Sequence, residues 1–266
     1  MNFLEEMAGK PAYFMDQPPS SPKHRRPLAP RDLLIESARP FASALSLDRE
    51  GFALVSHESD VPDFYDADAV RESYYPEVEE LVLKATGATR VYVFDHNVRS
   101  DPKEARSEDA RSPVRYAHND YTLRSGPQRV RDLLGEEADR LLGYRFAIVN
   151  VWRPIRGPVL DAPIAVCDAQ TMQLADFVAT DLCYPDRTGE VYSIRHSPGH
   201  HWYYFPKMRT DEALLLKCFD SSEDGRARFT AHTAFEDPST PEDAPPRESI
   251  EARTLVFFAP EEGPDA

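Results

Sequence analysis

The chain has 266 residues, of which 41% are hydrophobic, and a formal net charge of −15. This length is enough for one large domain with a substantial core. The sequence contains no run approaching the roughly 18 apolar residues that a membrane-spanning helix needs. A surface this acidic repels nucleic-acid phosphates and anionic membranes, so neither is expected as a partner.

The N-terminus and the cysteines indicate the compartment. The first ten residues, MNFLEEMAGK, carry acids where a secretory signal needs a positive charge followed by an apolar run, so a cytoplasmic protein is expected. Cys167, Cys183 and Cys218 lie far apart and form no CxxC pair. Neither a disulfide framework nor a structural zinc site is expected from them. The sequence leaves the oligomeric state open.

The first half of the chain is predicted to combine an arm, helices and strands. Residues 1–31 are predicted to form an extended N-terminal arm without regular elements, because residues 10–31 are rich in proline and polar side chains. A single domain over residues 32–266 is expected to follow. The elements expected next are a strand at 51–58, a helix over 66–87 that Pro76 interrupts and Gly87 ends, a strand at 91–99 and a polar loop from Arg99 to Ser112.

The second half of the chain is dominated by short strands. Its expected elements are a helix over 126–143, strands at 145–155, 190–197 and 201–207, a turn at Pro198-Gly199, a short helical start at Thr210 followed by a strand, and strands at 226–235 and 247–258. This pattern predicts a mainly β fold with supporting helices (α+β), of the β-sandwich or jelly-roll kind. Nucleotide-binding motifs of the GxGxxG or GxxxxGK[ST] type are absent from the sequence.

The chemistry is predicted from His118-Asn119-Asp120, an HxD unit. On an extended segment, residues i and i+2 point to the same face, so one imidazole and one carboxylate can reach the same ion. A second histidine from a distant strand would complete a 2-His-1-carboxylate triad. Such a triad leaves coordination positions open and is typical of non-haem Fe(II) oxygenases. An HxD unit by itself is a weak signal, since surface loops contain such triplets by chance.

Four downstream histidines could complete the triad: His196, His200, His201 and His232. His232 is favoured because Arg247-x-Ser249 follows it, with both side chains on one strand face. A guanidinium and a hydroxyl placed in this way can hold the distal carboxylate of 2-oxoglutarate. Arg253 has the same parity and is the second candidate for that carboxylate, and His201 is the fallback for the distal histidine.

Six motifs between residues 114 and 258 carry a family resemblance: VRYAHNDYT, NVWRPI, HHWYYFPKM, DEALLLKCFDS, AHTAFEDP and PRESIEARTLVFF. The order HxD, distal histidine and RxS resembles the 2-oxoglutarate/Fe(II) oxygenase superfamily. More narrowly, the chain is similar to the hydroxylase/desaturase family that includes fungal aspergillic-acid-type enzymes and the accessory protein of cephamycin 7-methoxylation.

The resemblance implies a double-stranded β-helix (jelly-roll, cupin-like) fold and the cofactors Fe(II) and 2-oxoglutarate. It also implies dioxygen as co-substrate and a small amino-acid-derived or natural-product substrate. That substrate would be hydroxylated, desaturated or closed to a ring such as an aziridine. A metal-dependent hydrolase with the same ligands, and a non-catalytic accessory subunit, are the alternatives.

Six further residues are candidates for contact with substrate, each with a structural alternative. Trp152 follows a buried-looking strand and is expected more often in the core than in a pocket wall. Arg153 could hold a substrate carboxylate. Tyr121 has the opposite parity from the HxD ligands and could close the site. The remaining candidates are Arg115, His201 and Tyr203.

Overall fold

The structure is a computed structural model, and it describes residues 1–15, 24–100 and 111–259. Strands dominate it and helices are few, so the predicted mainly β class with supporting helices is confirmed. The strands are β1 (Asn2–Leu4), β2 (Ala12–Phe14), β3 (His24–Arg25), β4 (Leu28–Pro30), β5 (Ile35–Ser37), β6 (Phe52–Ser56), β7 (Arg90–Arg99), β8 (His118–Asn119), β9 (Phe146–Pro154), β10 (Ile164–Cys167), β11 (Phe177–Cys183), β12 (Thr188–Ile194), β13 (Trp202–Tyr204), β14 (Glu212–Asp220), β15 (His232–Ala234) and β16 (Ser249–Phe257).

The helices lie mainly between β6 and β9. They are α1 (Ala67–Ala69), a π-helical segment Val70–Tyr74, α2 (Tyr75–Thr86), α3 (Ser125–Leu134) and α4 (Ala138–Leu142). Short 3-10 turns occupy Arg39–Ala44, Gly135–Glu137, Ala169–Thr171 and Leu174–Asp176.

Two sheets contain most of the described strands, and β1 and β4 form a separate pair. The larger has nine strands in the order β3-β2-β11-β12-β8-β15-β10-β13-β5, and the smaller has five in the order β6-β14-β9-β16-β7. Every pairing in the five-stranded sheet is antiparallel. Strands distant in sequence, such as β8 and β15, therefore become neighbours in the larger sheet.

The main core lies between the two sheets. On β9, Phe146, Ile148 and Trp152 point to one side and pack in the same apolar cluster as Val166 and Ile194 of the nine-stranded sheet. Alternation along a strand sends every second side chain to the same face. A polar side chain with this parity is therefore buried between the sheets.

Helix α2 covers the opposite face of the five-stranded sheet. Val78 and Val82 of α2 belong to a second apolar cluster that also contains Val149 and Val151 of β9. Pro76 lies in the first turn of α2, where a missing N–H is tolerated, so it marks the start of that helix. Gly87 caps the helix end with a left-handed backbone (φ 67°), as predicted.

The N-terminal segment contributes strands. Ala12–Phe14 pairs in parallel with Asp181–Cys183 of β11, and Asn2–Leu4 pairs with Leu28–Pro30. The expectation of an arm without regular elements is therefore wrong for these residues. Residues 16–23 of the predicted arm lie outside the described part of the chain. The boundary at residue 31 and the single domain over 32–266 stay predictions.

Other sequence predictions differ from the structure in particular places. No helix forms at Thr210, where a turn leads directly into β14. The strand expected at 226–235 is reduced to β15, because the backbone before it bonds to loops and side chains instead: the Ala227 amide donates to Asp48 O, and the Thr230 amide donates to Asn119 Oδ1. Most of the loop predicted from Arg99 to Ser112, residues 101–110, lies outside the described residues.

Gly51 provides a test of the close contact beside β15. Its φ is +87°, and a Cβ there would lie 2.4 Å from Thr230 Oγ1. Gly9 has a similar φ of +80° but open space around it. We expect Gly9→Ala to cost about 1 kcal/mol of unfolding free energy, which measures backbone strain. Gly51→Ala should cost about 1–3 kcal/mol more because it adds the clash.

Urea denaturation of both variants measures this difference. Equal losses of stability in the two variants would contradict the close packing of Gly51 against Thr230.

Candidate metal centre and its cavities

His118 and His232 face each other on neighbouring strands. They are directly paired residues of the antiparallel strands β8 and β15. Directly opposed residues point to the same sheet face, and the two ring centroids lie 4.4 Å apart. Strand pairing therefore joins two histidines that are 114 positions apart in the sequence.

Backbone carbonyls fix the orientation of both rings. His118 Nδ1 lies 2.9 Å from Tyr116 O, and His232 Nδ1 lies 3.0 Å from Thr230 O. A carbonyl oxygen only accepts hydrogen bonds, so each Nδ1 carries the proton. Each Nε2 then keeps its lone pair, which is the arrangement that metal-binding histidines show.

Asp120 brings its carboxylate to the same point. Its Oδ1 lies 3.6 Å from His118 Nε2. The ligand atoms of His118, Asp120 and His232 all lie within 4.8 Å of one another. The structure thus brings together the three residues predicted as the triad.

The other three candidate histidines lie elsewhere. His200 Nε2 is 3.0 Å from Asp176 Oδ2, and the His196 ring packs edge-on against Phe3. His201 is exposed. None of them is among the residues brought to Asp120.

The protonation states of His118 and Asp120 suit a cation. Burial and the neighbouring His232 lower the pKa of His118 to about 3, so this imidazole is neutral at physiological pH. Burial alone would raise the pKa of Asp120, but Arg253 and both histidines lower it to about 2. The cluster therefore offers a carboxylate and unprotonated nitrogen without first losing protons.

Asn119, the middle residue of HxD, holds the segment in place. Its Nδ2 donates to Tyr121 O at 2.7 Å and to Cys218 O of β14 at 2.8 Å. Its Oδ1 accepts the Thr230 amide at 3.3 Å, two residues before His232. This side chain, which the sequence analysis treated as a spacer, ties the HxD segment to both sheets.

Asn150 is a second residue that the sequence analysis missed. Its Nδ2 donates to Asp120 Oδ2 at 2.7 Å and lies 3.1 Å from Glu251 Oε1. It thereby fixes the carboxylate that points at the trio. The available signal was an amide within the wholly buried strand FAIVNVWRP.

A small buried pocket beside the histidines contains Arg247. His118, His232, Trp152 and Arg99 also line it. Arg247 donates through Nη1 to Ala162 O at 2.6 Å, while its Nε has no hydrogen-bond partner in the described chain. Burial, with Arg99 nearby, lowers the pKa of Arg247 to about 9. A buried cation in this state would be stabilised by an anion.

Ser249 and Arg253 occupy different surroundings on β16. Ser249 Oγ is buried and has no hydrogen-bond partner in the described part of the chain. Arg253 Nε lies 2.8 Å from Asp95 Oδ1 in an ion pair, and Arg253 lines a separate, larger cavity. Arg247, Ser249 and Arg253 each keep a buried donor without a hydrogen-bond partner among the described residues, but only the charge of Arg253 is balanced by an acid, Asp95.

The larger cavity opens onto the trio and has a volume of about 1230 Å³. His118 and Asp120 line its inner end, together with Arg253. Helix α3, the turn between β11 and β12, and residues 111–116 form its walls. This volume is large enough for a small-molecule substrate beside the trio.

The candidate substrate residues divide into two groups. Tyr121 and Arg115 line the larger cavity, and Trp152 lines the small pocket. Arg153 does not reach either cavity, because it has the opposite parity from Trp152: its guanidinium donates to the His57 and Thr210 carbonyls on the far face of the sheet. His201 and Tyr203 also line neither cavity. The positions of these last three residues give no support to a substrate contact.

The known proteins that this chain resembles are named as oxidoreductases, hydroxylases and dioxygenases. A family model described as "Oxidoreductase/YMDC permease-like domain" matches residues 1–257. The hydroxylase/desaturase CTB9 of Cercospora beticola is 36% identical over 262 residues, which cover 90% of this chain and 80% of CTB9. The Fe(II)/2-oxoglutarate-dependent dioxygenase nvfI of Aspergillus novofumigatus is 35% identical, covering 86% of this chain and 84% of the relative. The chain belongs to this family of Fe(II)/2-oxoglutarate-dependent hydroxylases and desaturases.

A solved structure of a family member agrees over nearly the whole chain. The iron and alpha-ketoglutarate-dependent endoperoxidase NvfI superposes on this oxygenase with a TM-score of 0.89 and 31% identity, covering 97% of each chain. Although one family description contains the word permease, no helix in the described residues of this oxygenase is long and apolar enough to cross a membrane.

Removal of the Asn119 side chain tests whether its hydrogen bonds hold the two sheets together. We expect Asn119→Ala to lose about 3 kcal/mol of unfolding free energy, because three hydrogen bonds disappear inside the protein. Asn97, half-buried in the cavity wall, makes no side-chain hydrogen bond to a described residue, so Asn97→Ala should cost less than about 1 kcal/mol. Similar losses measured by urea denaturation would contradict the tie.

Proposed function

We propose that this protein binds Fe(II) through His118, Asp120 and His232 and uses 2-oxoglutarate and dioxygen to oxidise a C–H bond of a small molecule. The observation that carries the proposal is the arrangement of two imidazoles and one carboxylate with their ligand atoms within 4.8 Å of one another. Two histidines and a carboxylate are the ligand set of non-haem Fe(II) oxygenases. Family membership supports the same cofactors.

We further propose that Arg247 and Ser249 hold the distal carboxylate of 2-oxoglutarate. Both have buried donor atoms without a partner in the described chain, and Arg247 lines a pocket shared with His118 and His232. A carboxylate is the anion that the guanidinium fork matches. Arg253 is the weaker candidate because Asp95 already balances its charge.

The chain's own residues would position and protect the reaction. When bound, Fe(II) and 2-oxoglutarate supply the dioxygen activation that oxidises the substrate, with succinate and carbon dioxide as co-products. Asn150 holds Asp120 in its ligand orientation. Trp152 and Tyr121 are buried beside the trio and would exclude water from it. The larger cavity would hold the substrate with one C–H bond toward the metal.

We also propose the finer features of the fold, the substrate class and the compartment. The two facing sheets would form the double-stranded β-helix of the oxygenase superfamily, with a single domain over residues 32–266. The substrate would be an amino-acid-derived or natural-product molecule. Action in the cytoplasm stays a prediction from the N-terminal sequence.

The alternatives explain less of the site. A zinc hydrolase could use the same three ligands, but the unpaired donors of Arg247 and Ser249 would then have no role. A non-catalytic accessory subunit would have no need to keep the trio, the Asn150 contact and the Arg247 pocket together.

Product masses would identify the outcome of the reaction. Hydroxylation adds one oxygen atom, whereas desaturation or ring closure removes two hydrogen atoms. The relative NvfI is named an endoperoxidase, and formation of an endoperoxide would add two oxygen atoms. A 2-oxoglutarate-consumption screen over amino acids and peptide-derived metabolites, followed by mass spectrometry, separates these outcomes.

Anaerobic absorption spectroscopy tests the cofactors. Fe(II) with 2-oxoglutarate should give a metal-to-ligand band in the visible range, and Asp120→Ala should abolish it. Arg247→Ala should raise the 2-oxoglutarate concentration for half-maximal absorbance by about 10- to 100-fold, since a charged hydrogen bond contributes about 1.5–3 kcal/mol.

Arg209→Ala is the control for loss of a guanidinium. Arg209 is exposed, pairs with Asp211 at 2.9 Å and lines neither cavity, so this variant should behave as the wild type. Absence of the band in the wild-type protein would overturn the oxygenase proposal. An unchanged 2-oxoglutarate affinity in Arg247→Ala would remove only the cofactor anchor.

A further inference from the structure

The larger cavity has the opposite charge balance from the protein as a whole. The chain has 31 basic and 46 acidic residues, yet the described residues that line this cavity include seven arginines and four acids. A cleft of one charge sign with walls of low dielectric raises the local concentration of oppositely charged molecules. The cavity therefore favours anions although the protein repels them.

The four acids in the cavity wall already have partners or a role. Asp120 belongs to the proposed metal site. Gln128 donates to Asp132 at 2.7 Å, and Lys10 forms ion pairs with both Asp181 and Glu190. Three of the seven arginines also pair with acids, and the other four have no acidic partner among the described residues.

Helix α3 presents Arg129 to this cavity. Its residues Ser125, Gln128, Arg129 and Asp132 all line the wall, at the i, i+3, i+4, i+7 spacing of one helix face. Asp132, the acid on this face, bonds to Gln128 and not to Arg129. Arg129 makes no hydrogen bond or ion pair with any residue that the structure describes.

Aromatic contacts relate Arg129 to the proposed metal site. Its guanidinium carbon lies 5.7 Å from the centre of the Phe94 ring, and Phe94 packs edge-on against Tyr121 at 6.5 Å. Tyr121 follows the proposed ligand Asp120 directly. A group bound at Arg129 would thus lie beside the wall that leads to the trio.

Three other arginines line the cavity without an acidic partner among the described residues, and one of them, Arg99, already donates to Ser112 O. Arg111 lies on the segment before the HxD unit, and Arg187 lies on the turn between β11 and β12. Both are exposed, so they can attract an anion from solvent, but their side chains are not held in place by burial. Arg129, half-buried on a helix, is better placed to orient it.

We propose that the substrate carries an anionic group of the carboxylate type and that Arg129 binds this group, while Arg111 and Arg187 attract it into the cavity. The planar guanidinium of Arg129 matches a carboxylate with two parallel hydrogen bonds. The identification of the bound anion as the substrate rests on the proposed oxygenase function. The anion site itself does not depend on that function.

A matched pair of fluorescent probes tests the anion site without iron or turnover. Anilinonaphthalene sulfonate and N-phenylnaphthylamine share one aromatic scaffold, and only the first is an anion. We expect the wild-type protein to bind the sulfonate more tightly than the neutral amine. Arg129→Gln should weaken sulfonate binding about tenfold, the effect of one charged hydrogen bond, and leave binding of the amine unchanged.

Arg131→Gln is the matched control. Arg131 is on the same helix, pairs with Asp139 at 3.8 Å and does not line the cavity. This variant should bind both probes as the wild type does. Equal affinity of the wild type for the two probes, or an Arg129→Gln variant with unchanged sulfonate affinity, would overturn the proposal. So would an equal loss of both probes in a variant whose thermal unfolding matches the wild type.

The anaerobic Fe(II)–2-oxoglutarate band separates this proposal from the proposed function. We expect Arg129→Gln to keep the wild-type band and 2-oxoglutarate affinity, because the proposed cofactor anchor is Arg247. A lost band in this variant would mean that Arg129 serves the cofactor, which overturns the substrate assignment. If the wild type lacks the band but binds the sulfonate through Arg129, the anion site stands and the oxygenase function fails.

Turnover tests the substrate class. Oxygen-dependent 2-oxoglutarate consumption is measured with a panel of N-acetyl amino acids and their methyl esters. Free acids should stimulate consumption more than their esters, and Arg129→Gln should raise the KM for the acids with little change in kcat. Esters that stimulate consumption as strongly as the acids would contradict the proposal.

Discussion

The side-chain amide of Asn119 is the interaction on which the site depends. It reaches the carbonyl of Cys218 on the five-stranded sheet and accepts the amide of Thr230 on the segment that leads to His232. The Thr230 carbonyl in turn fixes the His232 ring. One buried amide therefore connects the HxD segment, the facing sheet and the distal histidine, which are far apart in the sequence. A buried polar group is stable only when its hydrogen bonds are made, so the amide also specifies one arrangement of these three segments.

The buried ionisable groups of the trio and the Arg247 pocket can be explained together. His118 and Asp120 are neutral and ionised respectively, as a cation requires, whereas Arg247 is a buried guanidinium with an unused donor. Two complementary features thus lie side by side: the trio can accept a cation, and Arg247 has no acid in an ion pair with it among the described residues, although Glu251 also lines its pocket. A metal chelated by a dicarboxylate would satisfy both. We therefore propose that the two cavities form one site, with separate places for the cofactor and the substrate.

The sequence predicts those parts of the site that depend only on the alternation of side chains along a strand. HxD places two ligands on one face, and RxS places a guanidinium and a hydroxyl on one face, because both depend only on alternation along an extended chain. The pairing of His232 with His118 depends on sheet topology. The sequence alone could not show which of the four candidate histidines lies opposite His118. Asn119 and Asn150 were missed because their value lies in hydrogen bonds to segments distant in sequence. The absence of a full strand at 226–235 has the same origin, since long-range bonds replaced the expected pairing.

Arg253 on β16 and Arg247, just before this strand, show what alternation along a strand cannot predict. Arg247 and Arg253 both suit a carboxylate, and alternation sends both toward the facing sheet. Their difference comes from neighbours: Asp95 on β7 balances Arg253, while no described acid pairs with Arg247. The cavity adds a further distinction, because Arg253 and Arg129 line the larger space and Arg247 the small pocket. A guanidinium that lacks a partner inside a protein identifies the position of an anion more reliably than its spacing in the sequence does. By this criterion we propose that Arg247 and Arg129 bind two different anions, one in each cavity.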